Sequence, residues 1–241
     1  MNLKIAWRSH VGRVRERNED SIHIDQQAGL VVVADGMGGL LAGEEASATA
    51  VEGVVDRLAR GAPDARSAEV LLNCMDEAHE RVIERAQALD YLGRMGTTLL
   101  ILRLDLASGA GMFAHVGDSR LYRFDEMGLT QLSKDHTVAQ RMIDLGQFPA
   151  DQAYRAPNRH VLTQALGLPG LYQPQCGAVE APWTRLLLCS DGLSDMLPDH
   201  ELINFMQTEP VEHCAEALEA AALAAGGKDN ITLAVLDWVA T

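Results

Sequence analysis

The feature that most constrains this chain is a predicted β-hairpin close to its N-terminus. Two β-rich runs flank the four-residue loop 26–29, a length at which antiparallel strands are commonly joined. Counting outward from that loop places Ile22 opposite Val33 and Asp20 opposite Asp35, all on one face of the hairpin. The register therefore predicts a pair of aligned carboxylates where the hairpin opens.

Aligned cross-strand side chains have Cβ atoms about 4.5–5.5 Å apart, so two like charges at such positions destabilise a sheet. A hard divalent cation between them removes that penalty, because such ions bind carboxylate oxygens. Asp20 and Asp35, with Glu19 beside them, therefore indicate half of a metal site. For either aspartate alone a turn residue is the better explanation, since Asp-Gly is a frequent hairpin signal.

Composition bounds the class of protein. The 241 residues, 47% of them hydrophobic, are enough to bury a full core, and we expect a single domain over 1–241. A net charge of −14 argues against binding to nucleic acid or to an anionic membrane surface. The sequence contains no bilayer-length apolar run and no N-terminal signal-peptide pattern, so we expect a cytoplasmic protein.

Cysteines and arginines add two smaller observations. The cysteines lack a Cys-x-x-Cys pair, which predicts small buried apolar residues in a reducing compartment; they are Cys74, Cys176, Cys189 and Cys214. Residues 1–18 carry five Lys or Arg against one Glu, which suits binding of an anion next to the carboxylates. For any single arginine in that strip, a solvated strand face is the better explanation.

The order of predicted elements indicates an α+β fold rather than regular βαβ alternation. Helices over 41–60 and 65–90 follow the hairpin, and later strands surround an irregular stretch, 135–170. That stretch contains several prolines and has helical pattern over 136–145 and 159–166, so we expect a flap there. Antiparallel sheets covered by helices are the predicted architecture.

Aspartates recur where strands are predicted to begin or end. They are Asp20, Asp35, Asp118, Asp191 and Asp229. Since neighbouring antiparallel strands start and end at the same sheet edge, all five can lie along one edge. Oxygen donors without Cys or His pairs favour Mg²⁺ or Mn²⁺ over Zn²⁺, and no EF-hand loop supports Ca²⁺. Two such ions suit phosphoester hydrolysis, and Arg15 is the nearest arginine that can bind a phosphate.

Short motifs extend this pattern over almost the whole chain. They are Arg15-x-x-Asn18-Glu19-Asp20, Asp35-Gly36-Met37-Gly38-Gly39, Gly96-Thr97-Thr98, Gly117-Asp118-Ser119-Arg120, Ser190-Asp191-Gly192-Leu193-x-Asp195 and Lys228-Asp229-Asn230. Each motif is weak alone. In this order they resemble the metal-dependent serine/threonine protein phosphatases of type 2C, the PPM family, and the compact length resembles its bacterial members.

The resemblance implies a four-layer α/β/β/α sandwich, in which two central, mostly antiparallel sheets are flanked by helical pairs. It also implies a centre of two Mn²⁺ or Mg²⁺ ions, with a third, weaker metal in bacterial members. By position, the implied ligands of the two ions are Asp20, Asp35, Asp191, Asp229 and the backbone carbonyl of Gly36. Asp118, together with Asp191, matches the third metal.

Other matched positions surround that centre. Glu19 matches a residue that contacts metal-bound water, and Arg15 matches the phosphate-binding arginine. Asp195 and Asn230 match positions that we expect to support the ligands. The resemblance thus implies catalytic roles for Arg15 and Glu19 as well as for the aspartates.

The implied activity is hydrolysis of phosphoserine and phosphothreonine on proteins by a water activated between two metal ions. Arg15 and the metals would stabilise the growing charge, and no phosphoenzyme would form. Met37 stands where eukaryotic members usually have a histidine that has been viewed as the general acid, and a thioether cannot donate a proton. Water on the third metal is the preferred alternative donor, and His136 is a weaker one.

The resemblance also implies partners, namely phosphorylated protein substrates and a eukaryotic-type serine/threonine kinase that the enzyme opposes. We expect a monomer. Two other functions stay open from the sequence. The first is a catalytically silent relative that serves as a binding module, although every matching aspartate is present. The second is a metal-dependent phosphoesterase that acts on small molecules.

Overall fold

The computed structural model describes residues 2–37, 41–61, 67–149, 156, 158–168, 170, 172–208 and 210–239. The strands and helices follow in the order β1 (Asn2–His10), β2 (Asp20–Asp25), β3 (Leu30–Met37), α1 (Leu41–Ala59), α2 (Ala68–Ala88), β4 (Gly96–Thr97), β5 (Leu99–Leu104), β6 (Gly111–Val116), β7 (Arg120–Asp125), β8 (Gly128–Gln131), α3 (Val138–Asp144), β9 (Gln175–Val179), β10 (Arg185–Cys189), α4 (Asp191–Ser194), α5 (Asp199–Phe205), α6 (Val211–Ala224) and β11 (Ile231–Val239). Within these described ranges, every helix falls short of the length and apolarity that a membrane span needs.

Two antiparallel sheets form the centre of the molecule. One has the strand order β1-β11-β10-β7-β8, and the other has the order β2-β3-β5-β6-β9, with β4 paired to β3. The apolar faces of both sheets meet in one core, where Val31, Val33 and Leu100 pack with Leu188 and Leu236. A second core lies under α1 and α2, and a third lies under α4, α5 and α6. The predicted four-layer α/β/β/α sandwich is confirmed.

The helices form because their sequences supply both an end signal and an apolar stripe. In α2 the side chain of Ser67 accepts a hydrogen bond from the Val70 N–H at 3.1 Å, which caps the helix N-terminus. Leu71, Met75 and Val82 recur at helical spacing and are fully buried against the sheet. The observed helix lies within the predicted range 65–90.

The predicted helix over 159–166 is wrong. Residues 158–160 form a turn, Leu162 pairs with Thr137, and Leu166 pairs with Thr97 in isolated bridges. The Val138 N–H donates to Val161 O, and the Thr163 N–H donates to His136 O, so this segment exchanges backbone hydrogen bonds with other segments rather than within itself. Parts of the predicted flap, residues 150–155, and the hairpin end at 38–40 lie outside the described residues.

Other differences concern short elements. Strands β8 and β9 and the four-residue helix α4 were not predicted, and the strand predicted from Thr97 is divided into β4 and β5. Cys176 is exposed on β9, so the prediction that all four cysteines are buried is wrong for this residue. The other three are buried as expected.

Candidate metal centre

The hairpin of β2 and β3 has the predicted register. Asp20 is paired with Asp35, and Ile22 is paired with Val33. The backbone of Asp35 is fixed from the other side, because its N–H donates to Thr98 Oγ1 at 2.9 Å and its carbonyl accepts from the Thr98 N–H at 2.9 Å. The aligned carboxylates therefore sit on two strands whose relative position is held by hydrogen bonds on both sides.

Glycine allows backbone to approach closely beside this hairpin. A Cβ built on Gly36 would lie only 2.1 Å from Gly43 O and 2.6 Å from Glu19 O. At Gly192 an added Cβ would lie 1.9 Å from Asn230 O. No other residue fits at either position without moving the backbone, so these contacts require the two glycines that follow Asp35 and Asp191.

Seven segments contribute to one cavity of about 750 Å³ at this edge of the sandwich, and five of them carry acidic residues. Its acidic lining residues are Glu19, Asp35, Asp118, Asp191, Asp195 and Asp229. Asp118 comes from the turn between β6 and β7, Asp191 is the first residue of α4, and Asp229 directly precedes Asn230 and β11. The structure thus brings together the aspartates that the sequence placed along one edge.

Asp20 is buried, pairs with the lining residue Asp35, and is not itself among the residues that line the cavity. Its Oδ2 accepts a hydrogen bond from Ser190 Oγ at 2.8 Å. Its Oδ1 is buried and has no hydrogen-bond partner within the described part of the chain. Burial raises the pKa of Asp20 to about 6. A buried carboxylate oxygen without a donor is unfavourable unless a cation or other ligand satisfies it.

The neighbouring carboxyl groups are shifted in the same direction. Burial raises the pKa of Asp118 to about 7, with Asp135 adding to the shift. The pKa values of Asp35 and Asp191 lie well above the ordinary range, first because of burial and then because the other site carboxylates repel their charge. Several negatively charged carboxylates therefore lie close together, and one of their buried oxygens lacks a described hydrogen-bond donor. Divalent cations such as Mg²⁺ and Mn²⁺ bind such oxygens, so the residues present fit these ions.

Arg15 and Glu19 also line the cavity. Arg15 Nη2 donates to Asp229 Oδ2 at 2.7 Å while about half of the arginine side chain remains exposed. Burial raises the pKa of Glu19, although the charge of Arg15 acts in the opposite direction. The Glu19 carboxylate lies against α1, since a Cβ on Gly43 would be 2.7 Å from its Cδ.

Asn230 ties these groups together. Its Nδ2 donates to Val11 O at 2.9 Å and to Arg17 O at 2.8 Å, and its Oδ1 accepts from the Glu19 N–H at 2.8 Å. These three bonds fix the loop that carries Arg15 against the start of β11. The supporting role expected of Asn230 stays a prediction, and these contacts are the ones through which it would act.

The flap contributes residues that sequence reasoning missed. Arg159, His160 and Leu162 all line the cavity. His160 Nδ1 lies 2.8 Å from Asp195 Oδ2, and Arg159 Nε lies 3.6 Å from Asp195 Oδ1. Ligand atoms of His160, Asp191 and Asp195 lie within 4.8 Å of one another. Adjacent basic residues within the irregular stretch were the signal that could have found them.

Met37 and His136 occupy different positions. Met37 lines the cavity, as its place after Gly36 requires. His136 is buried, stacks on His115 with ring centroids 4.6 Å apart, and accepts a hydrogen bond at Nδ1 from the Gly117 N–H at 3.2 Å. It is not among the residues that line the cavity. These contacts give His136 a structural place beside the Asp118 turn and do not support it as a proton donor.

Comparison with known proteins identifies the family. The family model described as Protein phosphatase 2C matches residues 8–225. The serine/threonine protein phosphatase PstP of Mycobacterium tuberculosis is 36% identical over 98% of this chain, which spans only 45% of that relative's length. The serine/threonine phosphatase Stp of Listeria welshimeri is 32% identical, over 98% of this chain and 96% of the relative.

A solved structure agrees with both. The crystal structure of the catalytic domain of PstP, in complex with two manganese ions, superimposes with a TM-score of 0.87 at 33% identity and covers 99% of each chain. The strand order, the carboxylate edge and these matches lead to one conclusion. This chain belongs to the protein phosphatase 2C family, as its motifs predicted.

Proposed function

We propose that this chain hydrolyses phosphoserine and phosphothreonine on protein substrates, with two bound Mn²⁺ or Mg²⁺ ions. The observation that carries the proposal is the buried Asp20 Oδ1, which has no hydrogen-bond partner among the described residues and belongs to the residue paired with Asp35 of the carboxylate-lined cavity. The relatives named above are serine/threonine phosphatases, and one was solved with two manganese ions.

The proposed ligands come from the β2–β3 hairpin, the turn between β6 and β7, the start of α4 and the loop before β11. Asp20, Asp35, the Gly36 carbonyl, Asp191 and Asp229 would hold two ions, and Asp118 with Asp191 would hold a third. When bound, such ions would supply Lewis acidity, which can lower the pKa of water towards neutrality and offset the charge of the phosphoryl group.

The remaining work falls to the side chains of the cavity. Arg15 is half exposed and presents a planar set of donors, so it can bind two phosphate oxygens while Asp229 holds it in place. Glu19 can accept a hydrogen bond from the attacking water and so orient it for in-line attack. Because Met37 has no proton to donate, protonation of the leaving oxygen must come from another group.

Substrate and partner assignments are also proposals. Phosphorylated proteins and an opposing serine/threonine kinase follow from the family resemblance, the cytoplasmic location is the expectation drawn from the sequence, and a monomeric state is expected. Preference for a phosphothreonine peptide over small phosphate esters would separate a protein phosphatase from a small-molecule phosphoesterase.

The decisive experiment measures phosphate release from a phosphothreonine peptide. Purified protein is stripped with chelator and titrated with Mn²⁺ or Mg²⁺, with an Asp35→Asn variant alongside. We expect metal-dependent release that disappears in the variant, because Asn keeps the shape of Asp35 and removes its charge. A folded protein that releases no phosphate at any metal concentration would contradict the proposal and favour a binding module.

A further inference from the structure

Three cations from separate segments line the metal-site cavity. Arg15 lies in the loop between β1 and β2, Arg159 lies in the flap, and Lys228 lies in the loop before β11. The chain as a whole carries a net charge of −14, so these cations form a local exception. A cavity that has basic residues at its rim attracts anionic groups more strongly than the rest of the surface does.

The three cations differ in how far their charge is already balanced. Arg15 hydrogen-bonds to Asp229, and Arg159 lies 3.6 Å from a carboxylate oxygen of Asp195. Lys228 is exposed, and within the described ranges no carboxylate forms an ion pair with it. Of the three cations, Lys228 is therefore the one whose charge no described carboxylate balances.

The main chain fixes where Lys228 stands. Gly226 and Gly227, which precede it, have positive φ angles of 134° and 51°. Gly227 O accepts a hydrogen bond from the Arg13 N–H at 2.7 Å, which joins this loop to the loop that carries Arg15. The backbone at Lys228, next to Asp229, is thus held in place by this hydrogen bond, and the side chain is the part that can move to meet a ligand.

The aliphatic stem of Lys228 lies over Gly226 beside Met196. A Cβ built on Gly226 would be 3.8 Å from Lys228 Cγ, 3.9 Å from Lys228 Cε and 3.9 Å from Met196 Sδ. Lysine commonly lays its stem along apolar surface and keeps its ammonium group in water. Met196 and Lys228 both line the cavity, so the lysine stem lies at the edge of the space that a substrate enters.

We propose that Lys228 is a specificity-determining residue, which favours phosphopeptides that carry an Asp or Glu side chain next to the phosphorylated residue. The proposal rests on the proposed phosphatase function. Arg15 is committed to the phosphate and is tied to Asp229, so a second anionic group on the substrate needs a second cation. Lys228 provides it on the same rim.

The test compares three phosphothreonine peptides that differ only in flanking Glu, Gln or Lys residues. With Mn²⁺-loaded wild-type protein we expect kcat/KM to fall in that order, by up to about fivefold per step, which is the upper range for an exposed ion pair. Lys228→Gln should reduce the ratio of Glu to Lys peptides, and Lys228→Glu should bring it to one or below. Added salt should compress the wild-type ratio.

Lys4→Glu is the matched control. Lys4 is exposed on β1 opposite Asp237, six residues along β11 from the cavity end of that strand, and its replacement changes the net charge by the same amount. We expect the control to keep the wild-type ratio. An unchanged ratio in both Lys228 variants, or an equal change in Lys4→Glu, would overturn the proposal. Failure of wild-type protein to hydrolyse even the Gln peptide would instead count against the phosphatase function.

Discussion

Buried charge is arranged in opposite ways at the two ends of strand β11. At the C-terminal end, Arg185 Nε and Nη2 donate to the two oxygens of Asp237 at 2.5 and 2.7 Å. Arg185 Nη1 also donates to the carbonyl oxygens of Met206 and Thr208. At the other end, Asp229 belongs to a group of carboxylates that repel one another, and among the described residues Asp20 Oδ1 has no donor.

The difference separates a structural use of charge from a functional one. The Arg185–Asp237 pair is complete within the protein, so removal of one partner leaves an unbalanced buried charge. At the cavity end of β11 the carboxylates repel one another. Neutralising one of them therefore relieves repulsion but removes a proposed metal ligand. Substitutions at the two ends should therefore have opposite effects on stability and on activity.

The largest expected effect is on turnover. Asp191→Asn should lower kcat on the order of a thousandfold or more, because loss of a shared ligand removes several kcal/mol of transition-state stabilisation. The metal-free variant should unfold at the same temperature as wild type or higher. Phosphate release and thermal unfolding measured on the same preparation check both parts. Near wild-type turnover with Mn²⁺ would reject Asp191 as a ligand.

The opposite end should show a loss of stability without a loss of chemistry. Asp237→Asn should lower the free energy of unfolding by about 3–5 kcal/mol, because Arg185 is left buried with an uncharged partner. Urea unfolding measures this change, and kcat of the folded fraction should be retained. In the double variant Arg185→Met with Asp237→Leu both charges are absent, and most of the loss should be recovered. Equal stability of wild type and Asp237→Asn would show that the pair contributes little.

A third effect depends on pH in the metal-free protein. The folded-state pKa of Asp118 is raised by burial to about 7, so its ionisation destabilises the fold as pH rises from about 4 to 7. Asp118→Asn removes that penalty. After chelation the variant should unfold about 5 °C above wild type at pH 8, and the difference should shrink as the pH falls and vanish below about pH 4. A pH-independent difference would show that charge is not the cause.

The smallest effect concerns the substrate phosphate. Arg15→Ala should raise KM for a phosphopeptide about tenfold with a smaller change in kcat, because a charge-assisted hydrogen bond at a half-exposed side chain is lost. Arg17→Ala is the control, since Arg17 lies in the same loop, is exposed, and does not line the cavity. Initial rates over a range of peptide concentrations distinguish the two constants. Equal constants for both variants would remove Arg15 from the phosphate site.

Loop length and residue spacing were sufficient to predict the register of the β2–β3 hairpin and the convergence of the aspartates at one edge of the sheets. A four-residue loop fixes the pairing of Asp20 with Asp35, because a slip of one residue would turn Val31 and Val33 out of the core. Asp191 and Asp229 followed from their places at the termini of adjacent antiparallel strands. The roles of these residues as ligands stay predictions, since the structure shows their convergence and not the ions.

Long-range packing decided what the sequence did not predict. Strand β9 has Cys-Gly-Ala at its centre, a run of low β-propensity, and forms because β6 offers it an open edge. Residues 159–166 carry a helical pattern, but Leu162 and Leu166 bridge to distant strands instead. Asn158 adopts a left-handed conformation with φ of 59°, which redirects the chain just before Arg159 and His160 enter the cavity.

The hydrogen bonds of Asn230 also determine when, during synthesis of the chain, the candidate metal site can be assembled. They join residues 219 and 213 positions apart in sequence, and among the described strands β1 pairs only with β11. At about 5–20 residues per second, more than two hundred residues take on the order of 10–40 s to translate. The growing chain can form the Asp20–Asp35 hairpin early, but it lacks Asp229 and the brace on Arg15 until the last strand emerges. A translation product that stops before Asp229 and β11 would therefore lack this carboxylate and the brace on Arg15.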